Sequence, residues 1–120
     1  IPWAIVTSGS VPVAHARHRA GGLPMPEVFV TAEQVARGKP EPDAYLLGAK
    51  LLGLAPEACV VVEDASAGVL SGLAANCHVI AVNVPDDSPR LDEVDFVLTR
   101  LDEVTVARQE DGQVVVTRKE

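Results

Sequence analysis

Three consecutive valines, Val60 to Val62, run directly into the acidic pair Glu63 and Asp64. A short, wholly apolar run of this kind is the pattern of a strand buried on both faces of a parallel sheet. The two carboxylates then fall at the carboxyl edge of that sheet, where open α/β folds bind their ligands. An acidic pair in this place suits magnesium, which takes oxygen ligands and shares itself between one or two carboxylates and a substrate phosphate. Asp64 has a second use, capping the following helix at its positive end. The stretch alone leaves both uses open. Two further groups bear on the choice. Thr7-Ser8-Gly9-Ser10 offers hydroxyls and backbone amides that can cradle phosphate oxygens or cap a helix. Lys39, between Gly38 and Pro40, can neutralise phosphate charge or remain solvated. Together the three groups are the parts for phosphoryl transfer, where catalysis is mostly positioning and charge stabilisation. In that setting Glu63 either joins the metal or orients a water bound to it.

These residues need a scaffold that brings them to one edge, and the chain order supplies it. Trp3 to Val6 reads as a strand ending at the Thr-Ser-Gly-Ser loop, and Pro12 with Val13 to Ala20 as a helix closed by Gly21-Gly22. His15 and His18 lie on that helix without a third metal ligand nearby and read as a solvated face. Val28 to Val30 is the next strand and Thr31 to Val35 a brief turn or helical segment. Pro40 and Pro42 then bias Lys39 and Glu41 toward extended backbone, which stiffens the arm carrying the lysine. A helix starts at Pro42 or Asp43, with Tyr45, Leu46, Ala49 and Leu52 on its apolar face and Gly53 as its stop.

Cys59 to Val62 forms the central strand. The helix after Asp64 is rich in small residues, as close packing on a sheet requires, and ends at Asn76 or Cys77. Strands at Val79 to Val82 and Phe96 to Leu98 follow. The tail from Val104 to Val116 alternates apolar and polar residues around Asp111-Gly112, the signature of a β-hairpin. Strands alternating with helices predict an α/β fold with a mostly parallel three-layer sheet and a C-terminal hairpin, in one domain over residues 1–120.

Composition narrows the function. A net charge of −7 disfavours nucleic acid and anionic membrane as partners, since both demand clustered Lys and Arg. Aromatic residues are scarce, which argues against stacking on bases or sugars. Cys59 and Cys77 lack metal-ligand spacing and read as buried free thiols. With no signal peptide and no membrane-spanning run visible, a cytoplasmic location is expected. No Gly-x-Gly-x-x-Gly follows the first strand, so a dinucleotide site is disfavoured.

Val6 to Ser10, Arg37 to Asp43 and Val61 to Gly68 resemble motifs two, three and four of the haloacid dehalogenase superfamily. More narrowly, they are similar to the subgroup of β-phosphoglucomutase and small sugar phosphatases, and the run closely resembles sugar (hexitol) phosphatases. The resemblance covers nearly the whole chain. It implies a Rossmannoid core and magnesium-dependent hydrolysis of a phosphorylated sugar or sugar alcohol through an aspartyl-phosphate. By position, Thr7 or Ser8 with the Gly9 amide would bind phosphate. Lys39 would balance the charges of nucleophile and phosphate, and Asp64 would ligate the metal beside Glu63.

One part of the family pattern is missing. Such enzymes open on a strand ending in Asp-x-Asp, which carries the nucleophile and the general acid/base, and no Asp-x-Asp occurs in this sequence. The helical cap between the first and second motifs is also lacking. The resemblance therefore implies a partial core, the carboxyl-terminal part of a longer enzyme and inactive alone. The nucleophile strand would lie between the strand at Trp3 and the one ending at Val62. Without it two inner edges lose their ladder partner, so instability or association through those edges is expected. A phosphosugar mutase would share all three motifs, and a non-catalytic phosphate- or partner-binding module could use the same loops.

Overall fold

The computed structural model describes residues 2–7, 26–110 and 114–119. Ser8, Gly9 and Ser10, the expected helix with His15 and His18, and the Asp111-Gly112 turn lie outside the described residues. Within them the parallel strands form two groups. Strand β1 (Ala4–Val6) pairs with β2 (Val28–Val30), with Val6 opposite Val30. Strand β3 (Val60–Glu63) pairs with β4 (His78–Val82), which pairs in turn with β5 (Phe96–Leu98). No ladder joins β1 to β3 among the described residues. The chain finishes as the antiparallel hairpin β6 (Val104–Arg108) and β7 (Val114–Arg118). This is the expected α/β architecture, with its parallel sheet incomplete.

Helix α1 spans Asp43–Leu52, with Asp43 in its first turn and Lys50 in its last, both favourable to the helix dipole. Gly53 ends it at φ 74°, a left-handed conformation that glycine adopts without steric cost. Its buried residues are Ala44, Tyr45, Gly48 and Ala49. Leu46, expected on the apolar face, is 42% exposed. The reason is close approach: a Cβ on Gly48 would lie 3.1 Å from Val6 Cγ2, so small residues rather than leucines centre the contact with β1.

Helix α2 spans Ser66–Ala74 and packs against β3 and β4. It also depends on missing side chains, because a Cβ on Gly72 would come within 2.9 Å of Val79 Cγ2 and 3.2 Å of Val61 Cγ1. Its N-cap is Ala65, and no side chain caps it, so the capping use of Asp64 is not the one the structure adopts.

The two faces of the β3–β4–β5 sheet carry separate cores. On the helix side Val61, Val79 and Ala81 pack with Val69 and Tyr45; on the hairpin side Ile80 and Leu98 pack with Val104. The expectation that β3 is buried on both faces fails. Val60 is 39% and Val62 49% exposed, because the hairpin covers β4 and β5 while the free edge of β3 borders a cleft. That cleft, about 610 Å³, lies between β1 and β3 and is walled by Ala4, Val6, Val60, Val62 and Val106 among others. Both cysteines are free; Cys77 is buried and Cys59 half-buried, short of the burial expected for it. No helix among the described residues is long and apolar enough to cross a membrane.

Candidate active site

Strands β1 and β3 end at the same edge of the cleft, and Lys39 spans the gap between them. Its Nζ donates to the Val6 carbonyl, the last residue of β1, at 3.2 Å, and to Glu63 Oε2, the last residue of β3, at 2.5 Å. The loop that carries it is tied to both helices. The Lys39–Pro40 peptide is cis, and beyond it the Glu41 carbonyl accepts a 2.6 Å hydrogen bond from Ser71 Oγ on α2. Arg37 adds a salt bridge to Asp43 at 3.0 Å that ties the loop to the start of α1.

Glu63 is the hub of the site. Its carboxylate is 9% exposed and accepts from Lys39 and from the Tyr45 hydroxyl, both on Oε2. Helix α2 closes over it: a Cβ on Gly68 would lie 1.9 Å from Glu63 Cδ, so any side chain there would have to displace the carboxylate. The Lys39 ammonium also stands 4.8 Å from the centre of the Tyr45 ring, a cation–π distance. Burial, then the negative charge of Glu63 and the hydrogen bond to it, push the Tyr45 phenol far above its ordinary range, so it stays protonated and donates.

The sequence-predicted residues therefore converge in part. Lys39 and Glu63 meet, and Thr7 follows β1 with its amide bonded to Val30 O at 2.9 Å, one residue from the carbonyl that Lys39 reaches. Asp64, one position beyond β3, is exposed. Ser8 and Gly9 lie outside the described residues. Sequence reasoning missed Tyr45 as a site residue and placed it only in an apolar face. The available signal was its hydroxyl, which needs a partner when the ring is buried.

Among the described residues no cluster of three His, Cys, Asp or Glu side chains is arranged to hold a metal ion. The donors nonetheless fit magnesium. Glu63 is already engaged by a cation, while Asp64 presents a carboxylate at an open edge, and magnesium completes its shell with water and phosphate oxygens.

The chain thus carries an apolar cleft between parallel strands and, at the carboxyl ends of those strands, a lysine and two acids. The family model of haloacid dehalogenase-like hydrolases matches residues 1–76, and the chain belongs to that family. Among curated relatives it is 74% identical over 116 residues to hexitol phosphatase A of Escherichia coli K12, covering 97% of this chain and 54% of that protein. It is 37% identical over 98 residues to glycerol-1-phosphate phosphohydrolase 2 of Saccharomyces cerevisiae, covering 76% of this chain and 39% of that one. The chain thus spans about half the length, or less, of these relatives. Among solved structures it is similar to a hydrolase of the same family from Deinococcus radiodurans R1 with bound phosphate and sodium. The TM-score is 0.74 and the identity 34%, over 83% of this chain and 48% of that one. It is also similar to a putative β-phosphoglucomutase from Thermotoga maritima, at TM-score 0.66 and 31% identity over 82% of this chain and 47% of that one.

Proposed function

We propose that this chain is the core portion of a cytoplasmic, magnesium-dependent phosphatase acting on small phosphorylated sugars or sugar alcohols. The observation that carries the reading is the Lys39 ammonium, fixed between the end of β3 and the end of β1, where Val6 also walls the apolar cleft. A strand seated in that cleft would pair with both open edges and end beside Lys39, where the family resemblance puts an aspartate nucleophile. The names of the relatives, a hexitol phosphatase and a glycerol-1-phosphate phosphohydrolase, support the substrate class.

In this reading the nucleophilic carboxylate attacks phosphorus, the ester P–O bond breaks, and the sugar alcohol leaves with a proton from the general acid on the same strand. Water then hydrolyses the acyl phosphate. Lys39 offsets the negative charge gathered by carboxylate and phosphoryl oxygens. Thr7, Ser8 and the Gly9 amide hold phosphate oxygens at the end of β1. Asp64 would hold magnesium, which supplies further charge neutralisation at the phosphate. Glu63 serves the lysine rather than the metal.

The test is phosphate release from a panel of hexitol, hexose and glycerol phosphates by the full-length protein, by this chain alone, and by the full-length Lys39→Met variant. The expected result is magnesium-dependent release by the full-length protein, none by this chain alone, and a loss of about a hundredfold or more in kcat for Lys39→Met. Conversion of one sugar phosphate into an isomer without net phosphate release would overturn the phosphatase reading in favour of a phosphosugar mutase, which the likeness to the Thermotoga structure keeps as the second reading. Phosphate binding without turnover under every condition would favour a non-catalytic module.

A further inference from the structure

We infer that Tyr45 is a positioning residue: its hydroxyl holds Glu63 Oε2, and Glu63 in turn holds the Lys39 ammonium between the ends of β1 and β3. The inference rests on the phosphatase reading, in which that ammonium meets phosphate.

A lysine is a flexible four-carbon arm with three donors, and its usefulness in a site depends on what restrains it. Here two donors are committed, one to Val6 O and one to Glu63 Oε2. Among the described residues no third acceptor is placed on it. Of the two acceptors, the Val6 carbonyl is fixed by its strand, whereas a glutamate side chain is mobile unless it is itself held. The structure encloses Glu63 from two sides. Helix α2 presents Gly68, whose lack of a side chain leaves only enough room for the carboxylate. Helix α1 presents the Tyr45 hydroxyl, which binds the same oxygen that Lys39 binds. Tyr45 is also 9% exposed, and a hydroxyl at that depth is costly without a partner. Phenylalanine would fill the same apolar space and keep the ring under the ammonium at 4.8 Å, so the hydroxyl is placed for Glu63.

Tyr45→Phe separates the hydroxyl from the ring. In the full-length protein it is expected to lower kcat about tenfold, the worth of a hydrogen bond to a charged group. KM is expected to stay within about twofold, since the substrate itself is not touched. Lys39 is expected to be acetylated severalfold faster by acetic anhydride, read by peptide mass spectrometry. In a Glu63→Gln background the same substitution should cost little more, because its effect runs through Glu63. Unchanged kcat, or effects of the two substitutions that simply multiply, would overturn the inference. If the wild-type protein releases no phosphate, the phosphatase reading falls while Lys39 labelling still decides: equal acetylation in wild type and Tyr45→Phe would overturn the positioning role on its own.

Discussion

Val62 and Ile80 are register partners on the same face of adjacent parallel strands, yet Val62 is 49% exposed and Ile80 only 2%. Both belong to short apolar runs, Val-Val-Val and Val-Ile-Ala, that intrinsic preference cannot tell apart. What differs is their company. Strand β4 has β3 on one side and β5 on the other, and Val104 of the hairpin covers Ile80. Strand β3 has β4 on one side and the cleft on the other. The valines of β3 are thus written for a central strand but sit at an open edge. The strand proposed above to occupy the cleft would remove that mismatch, and it would end beside Lys39, which bridges the ends of β1 and β3.

The sharpest way to break this comparison is to truncate both partners in the same chain. Ile80→Ala removes a fully packed side chain and is expected to cost about 3 kcal/mol of unfolding free energy. Val62→Ala, with half its surface already in water, is expected to cost under about 1 kcal/mol. Urea denaturation followed by circular dichroism measures both. Equal losses would mean that the cleft wall is as well packed as the sheet interior. In the full-length protein, where the proposed strand covers Val62, the Val62→Ala cost is expected to rise toward that of Ile80→Ala.

The covered face of β3 offers a second test, because there the fit is tight rather than loose. Gly68→Ala places a methyl group on the Glu63 carboxylate. Overpacking costs typically about 1–3 kcal/mol, against a gain of about 1 kcal/mol in helix propensity. A net loss of about 1 kcal/mol is expected in urea denaturation. In the full-length protein kcat is expected to fall at least as far as in Tyr45→Phe, because Lys39 loses its carboxylate acceptor and keeps only the Val6 carbonyl. A more stable protein with unchanged activity would show that Glu63 can move aside freely.

Much of this molecule was legible in its sequence, and the gaps have physical causes. Among the described residues, strand and helix order followed from apolar runs bounded by glycine and proline, and the end of α1 at Gly53 followed from the need for a left-handed cap. Lys39 and Glu63 were assigned to one edge because parallel strands share their carboxyl ends. The sequence could not show that Glu63 would be claimed by Lys39 and Tyr45, since that depends on how closely α1 and α2 approach the sheet. It also led to full burial of Val60 and Val62, because local pattern reports the environment a strand is suited to and not the neighbours actually present. Leu46 was misplaced for a related reason. Helical periodicity finds an apolar face, but Ala44 and Gly48 set the contact by letting backbones come close.

The smallest expected effect is chemical and repeats the Val62 and Ile80 contrast at the opposite ends of the same strands. Cys59 precedes β3 and Cys77 precedes β4, and the Cys59 carbonyl accepts from the amide of His78 at 3.0 Å. Cys77 is buried, and burial, followed by the charges of Cys59 and Glu57, pushes its thiol up to about 11. The Cys59 thiol is also raised, by burial and by Glu57, but the residue is only half-buried. Alkylation needs the thiolate, and a raised pKa leaves less of it at any lower pH. At pH 8 about a thousandth of Cys77 is thiolate, and the fraction rises about tenfold per pH unit until the pH nears 11. Iodoacetamide under native conditions is therefore expected to label Cys59 first and Cys77 slowly, with the Cys77 rate climbing steeply above pH 9, read by peptide mass spectrometry. Equal rates at pH 8 would mean that the amino end of β4 is as open as that of β3, and the contrast between the two strands would then be confined to their middles.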